Sequence, residues 1–78
     1  MRFYFDSKND LFEVHDKDGT DLPDVETARI EATKALGSIL IDVAGKEAGG
    51  RLAVSVRTGT GAKPIIRALA FFDVSEPT

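Results

Sequence analysis

The order of apolar and polar positions predicts two short strands at the start of the chain. The aromatic run Phe3-Tyr4-Phe5 favours a half-buried pleated strand, and residues 11–15 alternate weakly after a polar break. We expect these two segments to form a β-hairpin. The polar residues 16–21 that follow have the chemistry of a turn, in which Asp side chains cap local amides and Gly19 takes a positive φ.

From Pro23 onward the apolar residues recur every three or four positions, which is typical of one face of an α-helix. The stripe consists of Val25, Ala28, Ala32, Ala35, Leu36, Ile39 and Val43. Pro23 suits the first helical turn, the acidic residues after it complement the positive end of the helix dipole, and glycines from position 45 onward mark the stop. The spacing predicts a helix over about residues 23–47, with Gly37 in its interior.

Two further strands are predicted in the C-terminal half. Residues 51–57 alternate cleanly, with Leu52, Val54 and Val56 on the core side. Residues 58–64 form a loop, and the almost entirely apolar residues 65–74 favour a strand that is packed on both sides or lies in mid-sheet.

Short connections between these elements favour two antiparallel hairpins joined through one helix. The sequence therefore predicts an α+β fold with two layers in the order ββαββ, in which one long helix covers one face of a four-stranded, mainly antiparallel sheet. We expect a single domain over residues 1–74 and a polar tail over residues 75–78.

A single helix covers only one face of such a sheet, so the other face should carry exposed apolar residues. Tyr4 and either Phe71 or Phe72 belong to that face. Ile30 and Ile41 are eleven positions apart and lie on one line of the helix, off the main stripe. An exposed apolar face usually marks an interface, and we expect a homodimer; for the two isoleucines, scattered surface apolar residues are the alternative.

Composition excludes several classes of site. Of the 78 residues, 42% are hydrophobic and 29% charged, which is ordinary for a globular chain, and none is cysteine. Disulfides, thiolate zinc sites and cysteine nucleophiles are therefore ruled out, and no cofactor is expected. The N-terminal residues lack the apolar run of a signal peptide, and no stretch approaches a membrane span, so we expect a cytoplasmic protein.

Three candidate sites are better explained by local structure. The acidic residues 16–24 lack the spacing of a calcium loop, because Thr27 stands where a bidentate Glu is needed. His15 has no nucleophile with a sequence signature beside it. The glycine-rich residues 59–63 precede a strand-like segment instead of the helix that a phosphate site requires. We expect neither a metal site nor an enzyme.

The favoured role is a small protein-interaction module whose partner is a second copy or another protein. The alternative is a nucleic-acid-associated regulator or antitoxin-like protein that uses the arginines of the second hairpin. The net charge of −3 argues against nucleic acid. Paired across strands with Asp6 or Glu13, the arginines would form ordinary surface ion pairs. The candidate partner contacts are Tyr4, Ile30, Ile41, Arg51, Arg57, Lys63 and Arg67.

Several features together also carry a family resemblance: Phe3-Tyr4-Phe5-Asp6, Asp16 with Gly19, Leu22-Pro23-Asp24 leading into Ala28, Glu31 and Ala32, and the strand of residues 51–57. In these features the chain resembles an uncharacterised family of short, alphaproteobacterial, largely rhizobial proteins with a domain of unknown function, which implies no particular activity. Through Leu22-Pro23-Asp24 and residues 26–36 it also resembles the HicB-type antitoxin fold, which implies a partner protein to neutralise. The separate DNA-binding segment of such antitoxins has no counterpart in this chain.

Overall fold

One helix packs on one face of a five-stranded sheet. The elements are β1 (Arg2–Asn9), β2 (Glu13–Val14), β3 (Thr20–Asp21), α1 (Val25–Ala44), β4 (Gly49–Arg57) and β5 (Ile66–Asp73). The computed structural model describes residues 1–59 and 61–77, and every strand pairing in it is antiparallel. The predicted α+β class, with a helix packed on one face of an antiparallel sheet, is confirmed.

The strand that the sequence does not predict is β3, which lies within residues 16–21, where a turn is expected. The main order of the sheet is β2-β1-β4-β5, and β3 also pairs with β1. The N–H of Asn9 donates to the carbonyl of Phe12, and the N–H of Leu22 donates to the carbonyl of Met1. The backbone N–H and C=O groups of the odd-numbered residues at this edge of β1 therefore point toward both short strands. Both β2 and β3 therefore lie along the same edge of β1, one after the other.

The core lies between α1 and the two central strands. Its fully enclosed cluster consists of Phe3, Ala28, Ala32, Val54 and Val56. The helix contributes small residues to this cluster, and their size allows its backbone to approach the sheet closely. Leu36 and Ile39 pack against the cluster as expected, whereas Val25 is exposed although it belongs to the predicted stripe.

The helix is shorter at both ends than the predicted residues 23–47. Asp24 has an extended backbone and acts as the N-cap, since its carboxylate accepts a hydrogen bond from the N–H of Thr27 at 2.8 Å. The last helical residue is Ala44, and Gly45 follows as the C-cap. Within the described residues, the structure contains no helix with an apolar stretch long enough to cross a membrane.

The position of β5 differs from the prediction of a strand packed on both sides or in mid-sheet. It is the last strand of the sheet, and its residues alternate between half-buried and exposed. Phe72 lies on the helix side, whereas Leu69 and Phe71 lie on the uncovered face. The apolar run arises because both faces of β5 carry apolar residues although only one is covered.

Thr60, in the predicted loop over residues 58–64, and Thr78, in the predicted tail, lie outside the described residues.

Two glycines should respond in opposite directions to replacement by alanine. Gly19 has a φ of +74°, and a Cβ there would lie 2.8 Å from Cγ of Arg2 and 2.9 Å from Cε2 of Tyr4. Gly19→Ala should therefore lower the free energy of unfolding by about 1–2 kcal/mol or more. Gly37 lies within α1, where a Cβ would meet no neighbouring side chain or strand within 4 Å, so Gly37→Ala should raise the free energy of unfolding by about 0.5–1 kcal/mol. Urea denaturation measures both values, and a stabilising Gly19→Ala would contradict the described turn.

Candidate functional site

The guanidinium group of Arg57 forms the centre of a polar network on the uncovered face of the sheet. Its Nε and Nη2 atoms donate to the two carboxylate oxygens of Asp6, at 2.8 and 3.2 Å. Nη2 also donates to the carbonyl of Asp16 at 2.9 Å, and Nη1 donates to that of Gly59 at 2.7 Å. The guanidinium carbon lies 4.9 Å from the ring centroid of Tyr4, within cation–π range. Arg57 is consequently only 9% exposed.

Asp16 fills the gap between β2 and β3 along the edge of β1. Its carboxylate accepts a hydrogen bond at 3.0 Å from the N–H of Phe5, which lies between the β1 residues paired with the two short strands. The same carboxylate accepts from the N–H groups of Asp18 and Gly19, at 3.2 and 3.0 Å. The N–H of Asp16 donates to Asp6 at 2.9 Å. One side chain thus closes the turn and takes the place of a strand partner.

Both carboxylates of the network are held in their ionised form. The hydrogen bond from Arg57 lowers the pKa of Asp6 below its ordinary value. Burial alone would raise the pKa of Asp16, but the backbone N–H groups that donate to its carboxylate outweigh this effect, and its pKa is lowered. In return, the carboxylate of Asp6 raises the pKa of Arg57.

The four basic residues that are predicted as partner contacts do not form one cluster. Arg57 points its donors into the network, while Arg51 and Arg67 are exposed and lie opposite Phe71 and Ser55. Arg51 and Ser55 are four residues apart on β4, so the two exposed arginines lie about 13 Å apart along the strand direction. Lys63 is exposed in the loop that leads to β5.

The predicted contacts on the helix and on the sheet lie on opposite sides of the molecule. At about 100° per residue, Ile30 and Ile41 are turned almost half a circle from the centre of the buried stripe. Their side chains are 43% and 78% exposed. They therefore face away from the sheet and cannot share one flat interface with Tyr4 and the arginines.

A shallow groove of about 180 Å³ crosses the uncovered face at one end of the sheet. Leu69 and Phe71 of β5 form its apolar side, and Ala53 of β4 lies opposite Leu69. Lys8 and Arg51 contribute positive charge to the wall. The groove therefore has an apolar side and a charged margin, a combination that is common in ligand-binding clefts.

His15 lies beside acidic side chains at the margin of the same face. Its Nε2 atom is 2.7 Å from Oε1 of Glu13, and its Nδ1 atom is 3.9 Å from Oδ1 of Asp6. Its side chain is 63% exposed. Among the described residues, no group of three or more His, Cys, Asp or Glu side chains is arranged to hold a metal ion.

A family model provides the match to known proteins. The model for a domain of unknown function, DUF6894, matches residues 2–67. The chain belongs to this family. The matched part of this DUF6894 member includes the network of Asp6, Asp16 and Arg57, whereas most of β5 lies beyond it. No curated protein and no solved structure matches the chain.

Sequence reasoning offers Asp6 as one possible partner of Arg57, but it finds neither the role of Asp16 nor the burial of the network. Cross-strand pairing of the arginines with Asp6 or Glu13 is expected at the surface, and the structure pairs Arg57 with Asp6. The structure encloses the pair because the turn that begins at Asp16 folds over it. In the sheet Asp6 lies opposite Ser55 and Tyr4 opposite Arg57, so the ion pair runs diagonally across two strands. The signal in the sequence is the shared face of Asp6 and Arg57, which follows from strand alternation.

Loss of the charge on Asp6 should destabilise the fold. Asp6→Asn should lower the free energy of unfolding by about 2–3 kcal/mol, because it weakens two hydrogen bonds from a cation that remains enclosed. Glu26→Gln is the matched control, since it removes an exposed ion pair with Arg29 on the helix and should change stability little. Urea denaturation at neutral pH compares the two variants, and equal losses would contradict the special role of the Asp6 pair.

Stability should also depend on pH in the acid range. Folding lowers the pKa of Asp6 and of Asp16, so their ionised forms stabilise the fold above the unfolded value of about 3.9, and this contribution is lost as the pH falls below it. The free energy of unfolding should therefore fall between about pH 5 and about pH 2. Asp6→Asn should flatten this dependence, and an unchanged slope would contradict the assignment to Asp6.

Proposed function

We propose that the protein is a small non-enzymatic protein-interaction module that acts as a homodimer. The supporting observation is the apolar surface on the uncovered side of the sheet. Leu69 is 58% exposed and Phe71 is 70% exposed, on adjacent same-face positions of one strand. Removal of such side chains from water is the main favourable term in protein association, and exposed apolar clusters mark interaction sites.

The charges around this surface suit an identical partner. Lys8 and Arg51 lie beside Asp10 in the wall of the groove, and Lys8 lies 3.8 Å from Glu13. Both signs are therefore present at one margin. In a two-fold symmetric interface, each positive residue can face a negative residue of the other copy, and the same contact then occurs twice.

The residues of the polar network use their hydrogen-bonding groups within the fold, which favours a structural role for them. In the described part of the chain, no buried side-chain nitrogen or oxygen lacks a hydrogen-bond partner. Asp6, Asp16 and Arg57 direct their polar atoms to one another and to the backbone. We therefore assign binding to the apolar surface beside the network.

A nucleic-acid-associated role is the second candidate, because Arg51, Lys63 and Arg67 are exposed. It requires binding of RNA or DNA that weakens steeply with salt. Arg51→Glu and Arg67→Glu test it better than a change at Arg57, whose removal would disturb the fold. Absence of binding at low salt, measured by fluorescence anisotropy, would eliminate this candidate.

Replacement of Phe71 by serine should abolish self-association. The wild-type protein should have the mass of a dimer at high concentration and dissociate over roughly a hundredfold dilution, whereas Phe71→Ser should be monomeric at the same concentrations. Ile41→Ser is the matched control because it removes an apolar side chain of similar exposure from the helix. Light scattering measures the mass. A wild-type monomer, or an Ile41→Ser monomer beside an unchanged Phe71→Ser dimer, would contradict the proposed surface.

A further inference from the structure

The two sides of the sheet differ in whether another segment of the chain pairs with the edge. The edge of β1 is occupied by β2 and β3, with the Asp16 carboxylate between them. The edge of β5 has no strand beside it in the described part of the chain. β5 contains no proline and no lysine, and its register with β4 is continuous over eight residue pairs. It therefore lacks the prolines, lysines and interrupted register that protect many natural edge strands, and its two charged residues, Arg67 and Asp73, lie near its ends.

The backbone of β5 presents its odd-numbered residues to this free edge. The N–H of Val74 donates to the carbonyl of Ala48 at 2.6 Å, and these two residues continue the register in which Asp73 lies opposite Gly49. Hydrogen-bonded and non-hydrogen-bonded pairs alternate in an antiparallel ladder, so the even-numbered residues of β5 bond to β4. The residues whose backbone groups point outward are Arg67, Leu69, Phe71 and Asp73.

The side chains of these four residues match those of a second copy of the same strand that runs in the opposite direction. Along the strand it reads positive, apolar, apolar, negative, and all four residues are exposed. In an antiparallel pairing with a second copy centred on Ala70, Arg67 lies opposite Asp73 of the second copy, and Leu69 lies opposite its Phe71. Each contact occurs twice because of the two-fold axis.

Other registers lose this complementarity. A shift of two residues places a charged residue opposite an apolar one, either Arg67 against Phe71 or Asp73 against Leu69. A shift of one residue pairs outward-pointing backbone groups with inward-pointing ones and brings opposite faces of the two sheets together. The register centred on Ala70 therefore satisfies both the backbone and the charges.

The residues on the helix side of β5 also pack well in this register. Ala70 lies opposite Ala70 of the second copy in a non-hydrogen-bonded pair, where the side chains are closest and small residues fit. Ala68 lies opposite Phe72 of the second copy, which places a small residue against a large one. Both Ala68 and Phe72 are half-buried on the side of α1, so the pairing extends the apolar layer beneath the helix.

The charges at the ends of β5 have no such partner among the described residues. Arg67 and Asp73 are six residues apart on an extended strand, about 20 Å, which prevents contact between them. In the part of the chain that the structure describes, neither side chain forms an ion pair. A second copy supplies two complementary Arg–Asp pairs at once.

We infer that two copies of the chain join edge to edge through antiparallel pairing of β5, with the two-fold axis at Ala70, and so form one continuous sheet. This inference rests on the proposed homodimer and specifies its geometry. The assembly stops at two copies because the other edge of each sheet is occupied by β2, β3 and Asp16.

Charge reversal tests the register. Arg67→Asp and Asp73→Arg should each raise the dimer dissociation constant by at least about tenfold at low salt, because like charges then face each other twice. An equimolar mixture of the two variants should recover the wild-type affinity as a heterodimer, since each new charge meets its opposite. Lys17→Asp is the control, because it makes a similar charge reversal at an exposed residue between β2 and β3, at the opposite edge of the sheet. Sedimentation velocity gives the affinities.

The outcomes separate the two proposals. A wild-type protein that stays monomeric at all concentrations overturns the homodimer and with it the β5 pairing. A wild-type dimer that both reversals leave intact, or a mixture no more dimeric than its components, overturns only the register.

A cysteine crosslink provides a second, independent test. The natural chain has no cysteine, so a single introduced thiol gives an unambiguous product. Ala70→Cys should form a disulfide-linked dimer under mild oxidation, because the two copies of residue 70 lie at the axis within disulfide reach. Ala53→Cys, on the uncovered face of β4, should not crosslink. Efficient crosslinking of Ala53→Cys without that of Ala70→Cys would show that the sheets stack face to face and would overturn the edge pairing.

Discussion

The ion pair between Asp6 and Arg57 is the contact on which the N-terminal half of this sheet depends. It joins β1 to β4, and through the N–H of Asp16 it also fixes the turn that follows β2. The two short strands contribute only two residue pairs each, which is too little for independent stability. Their position beside β1 is therefore maintained by side chains as well as by backbone pairing.

This arrangement makes the two edges of the sheet unequal. At the first edge, the Asp16 carboxylate accepts a hydrogen bond from the N–H of Phe5, which neither short strand reaches, so this edge is occupied on both sides of Phe5 and at Phe5 itself. The opposite edge consists of β5 alone, and its exposed face is apolar at Leu69 and Phe71. Because one edge is closed and the other is open, association through the open edge leads to a closed pair instead of a fibre.

The sequence is informative wherever structure follows from local periodicity. The spacing of Ala28, Ala32 and Leu36 predicts the helix, and the alternation of β4 predicts its buried face. The edge position of β5 could not be predicted, because an apolar run looks the same in a central strand and in an edge strand with an apolar open face. The enclosure of Arg57 depends on Asp16, 41 residues away, and no local pattern encodes such a contact.

Amide hydrogen exchange of β5 as a function of protein concentration tests the open edge most directly. The N–H groups of Ala68, Ala70 and Phe72 bond to β4 and should be protected at every concentration, as should that of Phe5, which bonds to Asp16. The N–H groups of Leu69 and Phe71 should be protected at high concentration and exchange rapidly on dilution. Rapid exchange of Leu69 and Phe71 at concentrations where the protein is a dimer would contradict pairing through β5.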